Sequence, residues 1–353
     1  IGSQRTYGNM LTNLEIDNFE IEGDTYVGGV IGMSYAKDSD GATAKNGEVT
    51  GNNYAGGIMG YTSTTGNIIS QNWLAENLKV TSENGNAGGA AGAAFHIYST
   101  GAVVRNCEIK GKNYVGGFVG NNNTGTKKVY NLQITGCKIE GTRESLLGLD
   151  YTSSAVGGVF GIQAETGQNV SYSGISVRDC MIEGPAYVGG FIGTLKYAIS
   201  GLLSDKIYIA EDVTVKARES VAGGIIGYTD ILTLTNSACG ATVSAGSNVA
   251  GGIIGHLEPQ NNSLMGRLEN VYYKGRVSAG TDYAGGIIGK LNSGSFKTDD
   301  NSMSHILVAA DVRSGGDNTS LWINDIVSAG DAGTGYIYIC DESMLNGQTA
   351  KAL

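Results

Sequence analysis

The sequence predicts an all-β protein, a right-handed parallel β-helix (β-solenoid) of about nine to ten coils with about 28–34 residues in each. Three observations predict this fold. A glycine-rich motif recurs along the chain, apolar and polar residues alternate between its copies, and no segment before residue 341 shows a sustained helical period. Only the tail "DESMLNGQTAKAL" (341–353) is compatible with the start of a helix.

The motif is a glycine pair, two mostly apolar residues and a third glycine. Its nine copies are "YVGGVIG" (26–32), "YAGGIMG" (54–60), "NAGGAAG" (86–92), "YVGGFVG" (114–120), "AVGGVFG" (155–161), "YVGGFIG" (187–193), "VAGGIIG" (221–227), "VAGGIIG" (249–255) and "YAGGIIG" (283–289). Successive first glycines lie 28, 32, 28, 41, 32, 34, 28 and 34 residues apart. The minimum of 28 predicts the length of one coil, and the longer intervals predict insertions, the largest at 142–155.

Each copy follows an alternating strand and a turn, as in "VRNCEIKGKNYVGG" (104–117) and "VRDCMIEGPAYVGG" (177–190). Three short strands in 28 residues cannot bury a face alone, so each unit must stack on its neighbours. At ~3.3 Å per residue, 28 residues suit the perimeter of one triangular coil. Propeller blades need longer units, and the leucine–asparagine pattern of leucine-rich repeats is absent from the sequence.

In a stack, equivalent positions lie directly above one another. A glycine column then serves either a positive φ angle or a close approach of two backbones. The two apolar residues after each glycine pair are expected to cover opposite faces of a strand, one facing the interior and the other covered by the insertions. The pattern does not fit a nucleotide-binding loop, because neither G-x-G-x-x-G nor G-K-[ST] occurs in it.

Composition excludes several classes of protein. The 353 residues include 57 Gly and 2 Pro, without a collagen period, and the formal net charge is −10. No basic footprint for nucleic acid or an anionic membrane is present, and no apolar run reaches the length of a membrane helix. We expect no cofactor, no metal and no catalytic residue in this segment.

The candidate ligand-facing residues are tyrosines two positions before the first glycine: Tyr26, Tyr54, Tyr114, Tyr187 and Tyr283. Stacked in one column, they would form either a structural ladder or a platform for sugar rings.

Thiols, imidazoles and carboxylates are the remaining reactive groups. The five cysteines are predicted to be buried free thiols, and three of them share the pattern C-x-I-x-G: Cys107, Cys137 and Cys180, with Cys239 and Cys340 elsewhere. Adjacent coils would bring two thiols near each other, which keeps a redox or metal role open. The histidines lie in no catalytic motif: His96, His256 and His305. Candidate acids for glycan cleavage are Asp38, Asp40, Asp299, Asp300 and Asp311, and Asp38-x-Asp40-Gly41 begins like a calcium loop that then fails.

The repeats resemble the GLUG repeat, named after its Gly-Leu-hydrophobic-Gly core, over about residues 26–289, with Ile, Phe or Val in place of Leu. The ending "ESMLNGQTAKAL" resembles the segment that closes such arrays. The resemblance implies a secreted or wall-anchored bacterial parent, such as the streptococcal-type IgA1-specific zinc metalloproteases or adhesin-like surface proteins. H-E-x-x-H is absent, so no catalytic residue is carried over.

The expected organisation is an N-terminal entry strand or cap (1–25), the repeats (26–315), and a degenerate last coil with a tail (316–353). An uncovered N-terminal edge would promote association of copies. Three functions are compatible with this: a scaffold that orients the other domains of its own chain or a protease substrate, an adhesin-type module for host glycan or glycoprotein, and a glycan-cleaving β-helix enzyme. Neither nucleic acid nor membrane insertion is expected.

Overall fold

The protein is a β-solenoid whose turns each pass through three parallel sheets. The computed structural model describes residues 2–4, 10–35, 38–62, 68–122, 127–144, 154–164, 170–196, 203–230, 233–258, 267–292, 303–316, 318–320 and 337–349. Among these residues, all secondary structure is strand. The predicted all-β, parallel solenoid is confirmed.

Sheet 1 is the long side of each turn and has 23 strands. Its strands are Met10–Thr12, Glu15–Gly23, Asp38–Asp40, Thr43–Gly51, Ile68–Gln71, Leu74–Ser82, Ile97–Thr100, Val103–Arg105, Glu108–Gly111, Lys127–Tyr130, Gln133–Thr135, Lys138–Gly141, Val170–Arg178, Met181–Gly184, Leu203–Ile209, Thr214–Ala217, Thr233–Cys239, Thr242–Ala245, Arg267–Ala279, Met303–Ser314, Ile337–Ile339, Met344–Leu345 and Gln348–Thr349.

Sheets 2 and 3 have ten strands each and lie on either side of the glycine pair. Sheet 2 contains Tyr26–Gly28, Tyr54–Gly56, Asn86–Gly88, Tyr114–Gly116, Ala155–Gly157, Tyr187–Gly189, Val221–Gly223, Val249–Gly251, Tyr283–Gly285 and Asn318–Ser320. Sheet 3 contains Ser3–Gln4, Ile31–Ser34, Met59–Thr62, Ala91–Ala94, Val119–Asn122, Phe160–Ala164, Ile192–Lys196, Ile226–Thr229, Ile254–Leu257 and Ile288–Leu291.

The chain makes about eight turns, fewer than the nine to ten coils expected. The nine motif copies bound eight full turns, and the further strands Ser3–Gln4 and Asn318–Ser320 belong to incomplete turns at the two ends. Equivalent residues of neighbouring turns are paired in parallel register; Val221, for example, lies opposite Val249, 28 residues later. The predicted right-handed winding stays a prediction.

The two apolar residues after each glycine pair belong to one core and do not cover opposite faces. The chain bends at Gly29 and Val30, and the same bend recurs in each copy, so both residues turn toward the interior. The ring of Phe160 accordingly contacts Phe118 at 6.3 Å and Phe191 at 5.7 Å between centroids. The insertion at 142–155 was expected to cover the second face of the motif strand, but its residues 145–153 lie outside the described residues.

The motif glycines serve close approach of backbones. The described glycines with positive φ are Gly41, Gly101, Gly136, Gly174 and Gly347, and none of them is in the motif. A Cβ atom on Gly117 would lie closer than 3.0 Å to the carbonyl oxygen of Gly158 on the next turn. A glycine column was expected to serve either a positive φ angle or a close approach of two backbones, and the structure shows the close approach.

The C-terminal tail is not the start of a helix over its described part. Residues 344–345 and 348–349 form a short antiparallel hairpin that pairs with Asp311 and Val312. Asn346 and Gly347 make its turn, both with positive φ, which is the conformation that an Asn-Gly turn favours. Residues 350–353 lie outside the described residues.

Candidate functional site

The tyrosine column on sheet 2 is interrupted. Register places Tyr26 directly beside Tyr54, but Asn86 follows, then Tyr114, and Ala155 after that. The remaining members of the column are Tyr187, Val221, Val249, Tyr283 and Asn318. The five predicted tyrosines therefore form one adjacent pair and three isolated residues.

The adjacent pair forms the centre of an exposed cluster, which we call the aromatic patch: Tyr26, Tyr54, Tyr61 and Phe95. The rings of Tyr26 and Tyr54 stack with centroids 5.4 Å apart, and Tyr61 lies 4.6 Å from Tyr26. Phe95 meets the edge of Tyr61 at 5.7 Å. Tyr26 keeps 37% of its surface exposed, and the other three residues are half-buried.

The patch spans two sheets, which is why the motif alone did not predict it. Tyr26 and Tyr54 start strands of sheet 2, whereas Tyr61 lies in sheet 3, one residue after the third glycine of its copy. The bend at the glycine pair brings the outer surfaces of these two sheets together. A signal was present in the letters "GYT" (60–62), which put an aromatic residue seven positions after Tyr54.

Burial and a neighbouring phenol group affect the ionisation of Tyr54 in the patch. The pKa of Tyr54 is raised, first by burial and then by the neighbouring Tyr26 phenol, so the Tyr54 hydroxyl stays protonated at neutral pH. Neutral hydroxyls at the rim of exposed ring faces can donate and accept hydrogen bonds while the rings contact apolar C–H groups. Chemically, such a surface suits either cross-strand packing or a sugar ring, and ligand binding there stays a prediction.

The other three tyrosines have different neighbours. The backbone N–H of Tyr114 donates to Oδ1 of Asn86 at 3.3 Å. Tyr187 meets the edge of Tyr228 at 5.6 Å. Tyr283 lies under the ammonium group of Lys290 at 5.0 Å, a cation–π contact. None of these three contacts continues the patch.

Two columns of residues in the left-handed conformation follow the surface of sheet 1. The first asparagine column is Asn13, Gly41, Asn72, Gly101, Asn131, Gly174, Lys206, Asn236, Asn270 and His305. All ten have φ between 48° and 71°. Eight of the ten are asparagine or glycine, because these residues adopt this conformation at least cost.

The second asparagine column is Asn18, Asn46, Asn77, Asn106, Gly136 and Asp179. Its side chains form a ladder along the solenoid: Asn77 donates to Asn46 at 2.8 Å, and Asn106 donates to Asn77 at 3.2 Å. Neither column is among the features predicted from the sequence. The signal was the residue before each C-x-I-x-G strand, as in "VRNCEI" and "VRDCMI".

The thiols stack as the shared pattern predicts. Cys107 lies beside Cys137, and Cys137 beside Cys180, each on the next turn, and all three are buried. Hydrogen bonding to Cys137 and then burial raise the pKa of Cys107 and of Cys180, whereas S–H donation from both neighbours lowers the pKa of Cys137. Cys239 is also buried, but Cys340 is half-exposed, so the prediction of a buried thiol is wrong for Cys340. It follows the strand Ile337–Ile339, which pairs with Met303–Ser314 on one side and with no further strand in the described ranges.

The candidate acids are not gathered in one place. Oδ1 of Asp40 accepts from Asn72 at 3.1 Å. Asp311 pairs with Arg276 at 3.3 Å and Arg313 at 2.9 Å, on a strand near the other end. Asp38 lies in the same short strand as Asp40, and Asp299 and Asp300 lie outside the described residues.

Histidines are likewise dispersed: His256 meets the edge of Tyr228 at 5.4 Å, and His305 ends the first asparagine column. Within the described ranges, no group of three His, Cys, Asp or Glu residues could hold a metal ion. The same ranges contain no helix long and apolar enough to cross a membrane.

One solved structure is similar to this chain over most of its length. It is described as a "putative immunoglobulin A1 protease" from Bacteroides ovatus, with 16% sequence identity and a TM-score of 0.41, over 84% of this chain and 78% of that chain. A TM-score this low shows neither the fold nor the role of this protein. No family model and no curated protein matches, so the GLUG resemblance stays a prediction.

Proposed function

We propose that this solenoid is a non-catalytic scaffold, a stalk that holds other domains of its own chain at a set distance and orientation. The observation that carries the proposal is the register. Motif residues of one turn lie opposite motif residues of the next through all nine copies, over one continuous core. Three sheets whose strands are hydrogen-bonded from turn to turn hold the turns in fixed positions, and the length of the stack grows by ~4.8 Å per turn.

The setting of the scaffold is part of the same proposal and rests on the GLUG resemblance. The parent is a large secreted or cell-surface bacterial protein, and one form of it is an IgA-protease-like metalloprotease in which this region orients domains or substrate. Right-handed winding and the lack of enzymatic activity in this segment also belong to the proposal.

The experiment measures the distance between the two ends. Non-cysteine spin labels at Thr12 and Glu342, both exposed, are placed on the intact chain and on a one-turn deletion that lacks residues 222–249. This deletion joins Val221 to Ala250, which replaces Ala222 at an equivalent position. We expect a narrow distance distribution that shortens by ~5 Å and keeps its width. A broad distribution in the intact chain would refute a rigid stalk.

A second candidate function is the binding of a host glycan or glycoprotein at the aromatic patch, as in adhesins. The observation that favours it is the stacked pair of the exposed Tyr26 and the half-buried Tyr54, with Tyr61 against them. Titration with oligosaccharides, followed by tyrosine fluorescence, tests it. Tyr26→Ala and Tyr54→Ala should weaken binding at least tenfold, whereas Tyr283→Ala, in the same column but outside the patch, should leave it unchanged. If no glycan binds, this candidate is lost and the scaffold stands.

Glycan cleavage remains a third hypothesis, and no observation favours it. Release of reducing ends from a polysaccharide, abolished by Asp311→Asn or Asp40→Asn, would be needed to revive it.

A further inference from the structure

Three thiols occupy one column of sheet 1 on three consecutive turns: Cys107, Cys137 and Cys180. The backbone carbonyl of Cys107 accepts from the N–H of Lys138 at 2.9 Å, and the carbonyl of Cys137 accepts from the N–H of Met181 at 3.0 Å. Stacked turns lie ~4.8 Å apart, and a disulfide needs ~4.4–6.8 Å between its two Cα atoms. The backbone therefore holds each neighbouring pair of cysteines at a distance that a disulfide can span.

The three side chains share one orientation. Each Sγ lies close to the carbonyl oxygen two residues earlier, at 3.2 Å in Cys107, 3.3 Å in Cys137 and 2.9 Å in Cys180. The N–H of Cys137 also donates to Sγ of Cys180 at 3.4 Å. Beyond the thiols, the column continues with Leu78 on one side and Val213 on the other. The sulfur atoms thus form a row of three in which only the middle one has a thiol on both sides.

Shared hydrogen bonds make the middle thiol the most acidic of the three. Donation from Cys107 and Cys180 lowers the pKa of Cys137, whereas hydrogen bonding to Cys137 and then burial raise the pKa of both neighbours. The thiolate is the form of cysteine that attacks an oxidant. Cys137 is therefore suited to attack first, and its neighbours are suited to react with the product.

The thiol row lies directly beneath the surface. Asn106 and Asp179 immediately precede Cys107 and Cys180 in the chain, and both are exposed. The three cysteines themselves keep only 2%, 3% and 4% of their surface exposed. At this exposure, an oxidant about as small as a water molecule can reach the sulfur atoms more easily than a bulky one. Hydrogen peroxide has this size.

We propose that Cys107, Cys137 and Cys180 form a peroxide-oxidisable site in which Cys137 makes a disulfide with one of its two neighbours. The thiolate of Cys137 attacks one oxygen of hydrogen peroxide, the O–O bond breaks, and the departing hydroxide takes up a proton to become water. The resulting sulfenic acid is attacked by the thiol of Cys107 or Cys180, which forms the S–S bond and releases a second water. Two thiols are oxidised and one peroxide is reduced.

The product is a covalent link between two consecutive turns, and the third thiol stays reduced because one sulfur forms one disulfide. This site does not depend on the proposed scaffold function.

The test uses the whole chain with Cys239→Ala and Cys340→Ala, which leaves only the three thiols of the row. The folded protein is treated with hydrogen peroxide, then unfolded, alkylated and digested with trypsin, which places each cysteine in its own peptide. Mass spectrometry should show one disulfide per chain, from Cys137 to Cys107 or to Cys180, and one alkylated thiol. Dithiothreitol should restore all three thiols, which distinguishes a disulfide from a sulfinic acid.

Two matched variants in this background test the role of the middle position. Cys137→Ala leaves two thiols that are two turns apart, and both should stay reduced. Cys180→Ala also removes one thiol but keeps a neighbouring pair, and both of its thiols should be lost to a disulfide between Cys107 and Cys137. Circular dichroism checks that each variant is folded. In the urea-unfolded chain, where the register is lost, the preference for Cys137 should disappear.

Four results would overturn the proposal. They are the retention of all three thiols in the folded three-thiol chain, a disulfide between Cys107 and Cys180 in that folded chain, equal loss of thiols in the two variants, and oxidation that dithiothreitol does not reverse.

Discussion

The side-chain amide of Asn77 donates a hydrogen bond to Oδ1 of Asn46 on the preceding turn, across 2.8 Å. Both residues have φ near 50°. One asparagine thus satisfies two requirements at once: a left-handed backbone that lets the strand change direction, and a side chain that links consecutive turns. The relationship repeats with Asn106, which donates to Asn77.

Asn77→Ala should lower the free energy of unfolding by about 2 kcal/mol, because alanine is strained in the left-handed conformation and two side-chain hydrogen bonds are lost. Asn77→Gly should cost less, since glycine adopts the same φ and already occupies the column at Gly136. Urea unfolding followed by circular dichroism measures both. As a control, Asn84→Ala removes a comparable ladder contact, to Asn52, at a residue without positive φ. Equal losses for Asn77→Ala and Asn77→Gly would contradict the backbone part of this explanation.

Gly117→Ala should destabilise the protein by about 3 kcal/mol or more, because its methyl group would meet the backbone of the next turn at Gly158. Backbone atoms in a stacked turn cannot move aside as a flexible side chain can. Gly2→Ala is the matched control, since nothing lies within 4 Å of its added carbon. Thermal unfolding of the two variants checks the difference, and similar melting temperatures would show that the turns are less tightly stacked than described.

Deletion of residues 222–249 should leave a folded protein with one turn fewer, because Val221 and Val249 occupy equivalent positions. The urea m-value should fall in proportion to the surface removed, roughly one turn of the stack. Deletion of residues 222–248 leaves one extra residue in a buried three-residue strand and should cost several kcal/mol more. If the two deletions have the same stability, the stack does not depend on register.

Stability should fall as pH rises from about 9 toward 12, in part because of Cys239. This thiol is completely buried, and burial raises its pKa to about 12 from an ordinary value near 9. Between these values the unfolded chain loses the proton and the folded chain keeps it, so the stabilisation is complete below pH 9 and is lost upward, at ~1.4 kcal/mol per pH unit. Urea titrations at pH 8, 9 and 10 measure it. Cys239→Ala should flatten this slope, and an unchanged slope would show that Cys239 does not contribute.

Features that follow from patterns along the sequence could be predicted, whereas contacts between different sheets could not. The alternation in "VRNCEIKG" and the recurrence of the glycine pair are local, so the strands, their parallel stacking and the thiol column of Cys107, Cys137 and Cys180 were predictable. The interruption of the tyrosine column at Asn86 and Ala155 can be read from the motif copies "NAGGAAG" and "AVGGVFG", whereas the contact of Tyr61 with Tyr26 could not be predicted because it joins two different sheets.

The order of residues alone establishes that this chain repeats, that each repeat is one turn, and that every column must tolerate its own neighbours. Which columns lie in the core and which contact one another is decided only by the folded structure. The bend at Gly29 and Val30 sends the apolar pair into one core, and the meeting of sheets 2 and 3 brings Tyr61 to Tyr26. The two kinds of information differ because spacing along the chain sets which residues are equivalent, whereas the angle between sheets sets which columns touch.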